Sequence, residues 1–84
     1  MNGDWQSKNI YLMHPEADYY VGLHAVGDYD ENNQWHNMEA WENIYDLNKK
    51  FVCSNARLFG PIEETAEDMK VEGWKEIQDW EYKK

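Results

Sequence analysis

The chain has 84 residues, with 17 carboxylates, 8 basic side chains and a formal net charge of -9. Because nucleic-acid backbones and anionic membrane surfaces are bound by basic faces, we expect neither as a direct ligand. Aromatic residues make up 15% of the chain, which argues against disorder. The composition therefore predicts one folded domain over residues 1–84.

Cysteine usage and hydropathy indicate where the chain acts. Cys53 is its one cysteine and has no partner within the chain for a disulfide. No apolar run approaches the roughly 18–20 residues of a membrane span. Residues 1–5 also lack the basic and apolar regions of a secretory signal. These features predict a cytoplasmic protein that does not enter the membrane.

The first half of the chain begins with a short apolar run. Residues 9–13 end at His14-Pro15, which favours extended backbone, so we predict a strand there. Residues 15–26 are ambiguous. Pro15 at the start and Gly27 after the end are typical of a helix, whereas residues 19–21 are strand formers, and the helix is slightly favoured.

The second half shows apolar residues at helical spacing. Residues 38–52 give the clearest helical pattern, and a second helix is predicted from Gly60-Pro61 onward, with Ile62, Ala66 and Met69 buried. The tail, residues 74–82, fits either a helix or an edge strand. We therefore predict an α+β fold dominated by helices, with one or a few short strands. An all-α three-helix bundle is the alternative.

A twelve-residue acidic segment, residues 28–39, resembles the calcium loop of the EF-hand family. Its oxygen-bearing side chains and terminal glutamate stand at the family's ligand positions, namely Asp28, Asp30, Asn32, Gln34 and Glu39. The position where the family has glycine is Asn33, a residue that tolerates the left-handed conformation. The resemblance implies a calcium-binding helix–loop–helix module, whereas a polar connector is the simpler interpretation. No other cofactor is expected.

Four carboxylates recur at intervals of four residues near the end of the chain: Glu64, Asp68, Glu72 and Glu76. If one helix continued through Gly73, these side chains would lie along one edge and repel one another. A cationic partner would relieve that repulsion, so we predict that the ladder binds a basic protein surface, although a solvated helix face is the simpler interpretation.

Five tryptophans exceed what so small a core can bury completely. Trp41 lies on the strongest helical stripe and is assigned to the core. Trp35, Trp74 and Trp80 are the predicted surface anchors for a protein partner.

These sequence features support three hypotheses about function. The leading hypothesis is a small acidic, non-catalytic protein that occupies the basic surface of a nucleic-acid-processing enzyme, in character like the inhibitors that phages encode. The alternatives are the calcium-binding module and an accessory subunit of a larger complex. We do not expect the chain to be an enzyme, because these residues do not provide a set of general acid, general base and nucleophile. The oligomeric state is not determined by the sequence.

Overall fold

The computed structural model describes residues 6–78 as a sheet with one helix. The elements are β1 (Gln6–Met13), β2 (Tyr20–Tyr29), β3 (Trp35–Tyr45), β4 (Phe51–Leu58), α1 (Ile62–Val71) and β5 (Lys75–Ile77). Strands account for 55% of the described residues and the helix for 14%. The predicted helix-dominated α+β fold is therefore wrong, and so is the all-α bundle.

The five strands form one antiparallel sheet in the order β4-β3-β2-β1-β5. The first four strands follow one another as a meander, and α1 then carries the chain back so that β5 pairs with β1. The strand predicted at residues 9–13 is confirmed as part of β1.

The segment predicted as a helix at residues 15–26 contains most of β2. Its odd-numbered residues Val21, Leu23 and Ala25 are 1%, 0% and 0% exposed, as expected of one face of a strand over a core. The strand-forming residues around Tyr20 thus outweighed the helix signals at Pro15 and Gly27. Burying every second residue of the segment in the core stabilises a strand rather than a helix.

The segment predicted as the clearest helix, residues 38–52, is most of β3, a turn and the start of β4. Trp41 and Tyr45 point away from α1, while Ile44 between them points toward the side of the sheet that α1 covers. Apolar residues on both faces of a strand reproduce helical spacing over short distances, which explains the error.

Helix α1 is the element predicted most accurately. It follows Pro61, has Glu63 and Glu64 in its first turn and buries Ile62 and Ala66 at 1% and 2% exposure. It does not pass through Gly73, whose φ of 106° is left-handed and turns the chain into β5.

The core lies between α1 and the sheet. Its buried members are Leu12, Val21, Leu23, Ala25, Ala40, Ile62 and Ala66. Because α1 packs chiefly on β1, β2 and β5, it leaves β4 exposed along nearly its whole length. The opposite face of the sheet has no layer over it within residues 6–78.

Candidate protein-binding surface

The outward side of α1 brings four carboxylates together. Glu63, Glu64, Glu67 and Asp68 line one shallow depression, and we call them the acidic helix surface. Their spacing of three and four residues places them on one side of the helix, opposite buried Ile62. The same pattern that anchors α1 to the core therefore concentrates its negative charge in solvent.

Two lysines neutralise part of this surface. Lys8 Nζ on β1 lies 3.2 Å from Glu63 Oε2. Lys70 Nζ lies 3.5 Å from Glu67 Oε2 and 2.9 Å from Glu76 Oε1. The hydrogen bond from Lys70 to Glu76 raises the pKa of Lys70, so this ammonium stays charged at neutral pH.

Glu64 and Asp68 are the exposed carboxylates of α1 that have no ion-pair partner among residues 6–78. They lie four residues apart, one turn of helix, so each raises the electrostatic cost of the other. This uncompensated pair carries the attraction that α1 offers to a cation.

The predicted ladder is divided between three parts of the fold. Glu64 and Asp68 lie on α1, Glu72 forms its C-cap, and Glu76 lies on β5 bound to Lys70. The helix through Gly73 that would have aligned all four does not form. The structure therefore brings together the first two ladder residues with Glu63 and Glu67, their neighbours on α1.

Of the three predicted tryptophan anchors, two are half-buried and pack against the core. Trp35 has Lys8 Nζ 4.5 Å from its ring centroid, and its indole N–H donates a hydrogen bond to Asn37. Trp74 packs edge-on to His14 at 5.3 Å and against Tyr19 at 5.8 Å. Trp80 lies outside the described residues.

The segment that resembles a calcium loop is the turn of the β2–β3 hairpin. Asp30 Oδ1 accepts the backbone N–H groups of Asn32 and Gln34, and Asn33 has a φ of 64°. Asparagine in a left-handed conformation agrees with the sequence interpretation, but strands flank the loop where the module requires helices.

The other predicted calcium ligands lie apart from this turn. Asp28 is on β2 opposite His36, and Glu39 on β3 has its Oε2 3.6 Å from Arg57 Nη2. Within residues 6–78, no three His, Cys, Asp or Glu side chains are placed to hold a metal ion. The geometry thus offers the calcium interpretation no support.

The uncovered face of the sheet carries aromatic side chains that the sequence interpretation did not identify as one surface. Tyr11, Trp41, Tyr45 and Phe51 point to this side from β1, β3 and β4. Trp41 and Tyr45 are four residues apart on β3, a spacing that fits a helix as well as a strand, and Tyr11 and Phe51 stand on other strands, so the sequence carried no clear signal that these rings share a surface.

Comparisons of the chain with protein-family models, with curated proteins and with solved structures found no match. Within residues 6–78, no helix has the length and apolar character needed to cross a membrane. What the chain does must therefore be inferred from the chemistry of its own surface.

Proposed function

We propose that this chain is a non-catalytic protein that binds the basic surface of a protein partner through the acidic helix surface. The observation that carries the proposal is the pair Glu64 and Asp68. Both carboxylates are exposed on α1, and neither has an ion-pair partner among residues 6–78. Arginine and lysine side chains of a partner would supply the missing counter-charges. Their attraction to Glu64 and Asp68 would also raise the association rate by electrostatic steering.

The partner class that best fits is a nucleic-acid-processing enzyme. Such enzymes present grooves lined with basic side chains to bind phosphate, and a protein with a charge of -9 competes for the same groove. The chain would then act as an inhibitor of the kind that phages encode. The proposal sets this binding in the cytoplasm, on the sequence argument that Cys53 has no disulfide partner within the chain.

Affinity capture from a host lysate tests this function. We compare the wild type with Glu64→Gln/Asp68→Asn, and use Asp18→Asn/Glu31→Gln as the matched control. Each pair removes one exposed Asp and one exposed Glu, but the control residues lie on loops outside the depression that the acidic helix surface lines, with Asp18 near the C-cap Glu72. The thermal unfolding curve of each variant establishes that the fold is retained.

We expect the wild type and the control variant to capture a partner protein from the lysate. The α1 variant should fail to capture it. Retention should fall as NaCl rises from 0.1 to 1 M, where the screening length drops from about 10 Å to about 3 Å. Duplex DNA should displace a partner of the nucleic-acid-processing class. Equal retention by both double variants would contradict the role of the acidic helix surface.

A further inference from the structure

The side of the sheet opposite α1 presents a continuous aromatic and amide surface. We call it the open face and define it by Asn9, Tyr11, His24, Trp41, Asn43, Tyr45, Phe51 and Ser54. Its rings contact one another in two groups. The ring centroids of Tyr11 and Tyr45 are 6.0 Å apart, those of Tyr45 and Phe51 are 5.9 Å apart, and His24 stacks on Trp41 at 5.7 Å.

The centre of this face lacks the negative charge that dominates the rest of the molecule. Its defining side chains include no carboxylate; Glu39 lies on the same side opposite Val26 and is paired with Arg57, and Asp28 lies on it at the end next to the β2–β3 turn. The chain from residue 47 to residue 62, which contains β4, has no Asp or Glu at all. Burial lowers the pKa of His24, whose Nδ1–H donates to Asn9 Oδ1 at 2.8 Å, so the imidazole is neutral near pH 7.

Neutrality matters because each copy of the chain has a charge of -9 and repels another copy. Two molecules approach at a lower electrostatic cost through a surface whose centre has no unpaired carboxylate. Phe51, 57% exposed, also gives this surface an apolar side chain to bury. A second copy of the chain is therefore a chemically consistent occupant of the open face.

The dimensions also suit such a contact. The molecule is 21 Å thick in its shortest direction, as expected of one sheet and one helix layer. Strands β1 to β4, about 4.8 Å apart and 8 to 11 residues long, cover roughly 600 Å². Two such faces bury about 1,200 Å² in total, the lower bound of specific, stable interfaces.

The two hairpin turns at the ends of β3 differ in charge, which selects one orientation. The end next to the β2–β3 turn carries Asp28, Asp30 and Glu31, whereas the β3–β4 turn carries Lys49 and Lys50. The carboxylate of Asp46 in the second turn accepts two backbone N–H groups. If two copies are related by a two-fold axis that lies in the interface plane and is perpendicular to β3, their β3 strands run in opposite directions. The basic turn of each copy then faces the acidic end of the other.

We propose that two copies of this chain associate through their open faces, with their β3 strands antiparallel and each β3–β4 turn facing the partner's acidic end. The dimer is a sandwich of two sheets with α1 of each copy on the outside. Both acidic helix surfaces remain accessible, so this association is independent of the function proposed above.

Sedimentation velocity over a range of concentrations, with two charge-reversed variants, tests the proposal. Asp28→Lys/Glu31→Lys leaves Asp30 as the one carboxylate of the three at the acidic end and makes that end basic, and Lys50→Glu gives the β3–β4 turn two carboxylates against Lys49 and makes it acidic. Each change affects two symmetry-related contacts, so each variant alone should dimerise about tenfold more weakly than the wild type. An equimolar mixture of the two should regain the wild-type affinity, because every acidic end then meets a basic one.

This mixing result separates the interface from any effect on folding, since a misfolded variant cannot restore association. Phe51→Ser should also weaken the dimer, while Val71→Ser, at a side chain 87% exposed on α1 and therefore on the other side of the sheet, should not. A wild type that stays monomeric at millimolar concentration overturns the proposal. So does a dimer that is insensitive to Phe51→Ser or whose charge variants fail to rescue each other.

Discussion

His36 and Asp30 form a short charged hydrogen bond across the β2–β3 hairpin, in which the His36 Nε2–H donates to Asp30 Oδ2 at 2.7 Å. The hydrogen bond from His36 and those from the backbone of Gln34 and Asn32 lower the pKa of Asp30 below its ordinary value of 3.8. The carboxylate is thus held ionised by the turn that it closes.

Stability should consequently fall in acid. The unfolded chain takes up a proton on Asp30 before the folded chain does, so the contribution is present above pH 3.8 and is lost as the pH falls through the lower folded pKa. Asp30→Asn should reduce this acid dependence, measured by urea unfolding between pH 2 and pH 7. Asp46→Asn, at the equivalent position of a turn without a histidine, provides the control. An unchanged pH profile in Asp30→Asn would contradict the assignment.

Each of the two hairpin turns has one residue in the left-handed conformation, and replacing either residue by glycine should stabilise the protein. Asn33 has a φ of 64° and Lys49 a φ of 67°. Because asparagine tolerates this conformation better than lysine, we expect about 0.5–1 kcal/mol from Lys49→Gly and less from Asn33→Gly. Urea midpoints at constant m-value measure both gains. The reverse ranking would show that strain does not distinguish the two turns.

Three glycines should respond very differently to alanine. A Cβ at Gly27 would lie 2.0 Å from the His36 carbonyl oxygen, so the two paired strands would have to separate. At Gly22 it would lie 2.7 Å from Tyr45 Cε1, a ring that can move. We expect losses of about 3 kcal/mol or more at Gly27, about 1–3 kcal/mol at Gly22 and less than about 0.5 kcal/mol at Gly60. Thermal unfolding of the three variants checks the order, and a mild Gly27→Ala would contradict the strand pairing.

Truncation in the core should weaken the protein far more than truncation on β4. Leu23 is 0% exposed beneath α1, whereas Val52 is 57% exposed. Leu23→Ala should lower the free energy of unfolding by about 2–5 kcal/mol, through lost burial and the cavity left behind. Val52→Ala should change it by less than about 1 kcal/mol. Urea unfolding followed by tryptophan fluorescence distinguishes them, and similar losses would mean that β4 is covered in solution.

Local signals in the sequence were sufficient for some elements. Pro61 and the acidic first turn after it located the start of α1, because each acts on backbone only a few residues away, whereas the sequence left open whether the helix ends at Gly73 or passes through it. The apolar run ending at His14-Pro15 correctly indicated β1. The sequence identified Asn33 only as a residue that tolerates the left-handed conformation, and the structure has it there with a φ of 64°.

Elements whose identity depends on distant partners were not predictable in the same way. Residues 38–52 carry apolar side chains on both faces of a strand, and only pairing of β3 with β2 and β4 makes that pattern extended rather than helical. The sequence alone also could not align Trp41 with His24, which lie on different strands.

The sequence by itself determined the net charge, the position of α1 and the carboxylates on that helix, since composition and short-range backbone preferences decide these. Only the tertiary structure decided which carboxylates remain uncompensated, because Lys8 reaches Glu63 across 55 positions of the chain. It also decided that a face whose central side chains include no unpaired carboxylate lies opposite α1, because strand pairing brings together residues that are dispersed from β1 to β4.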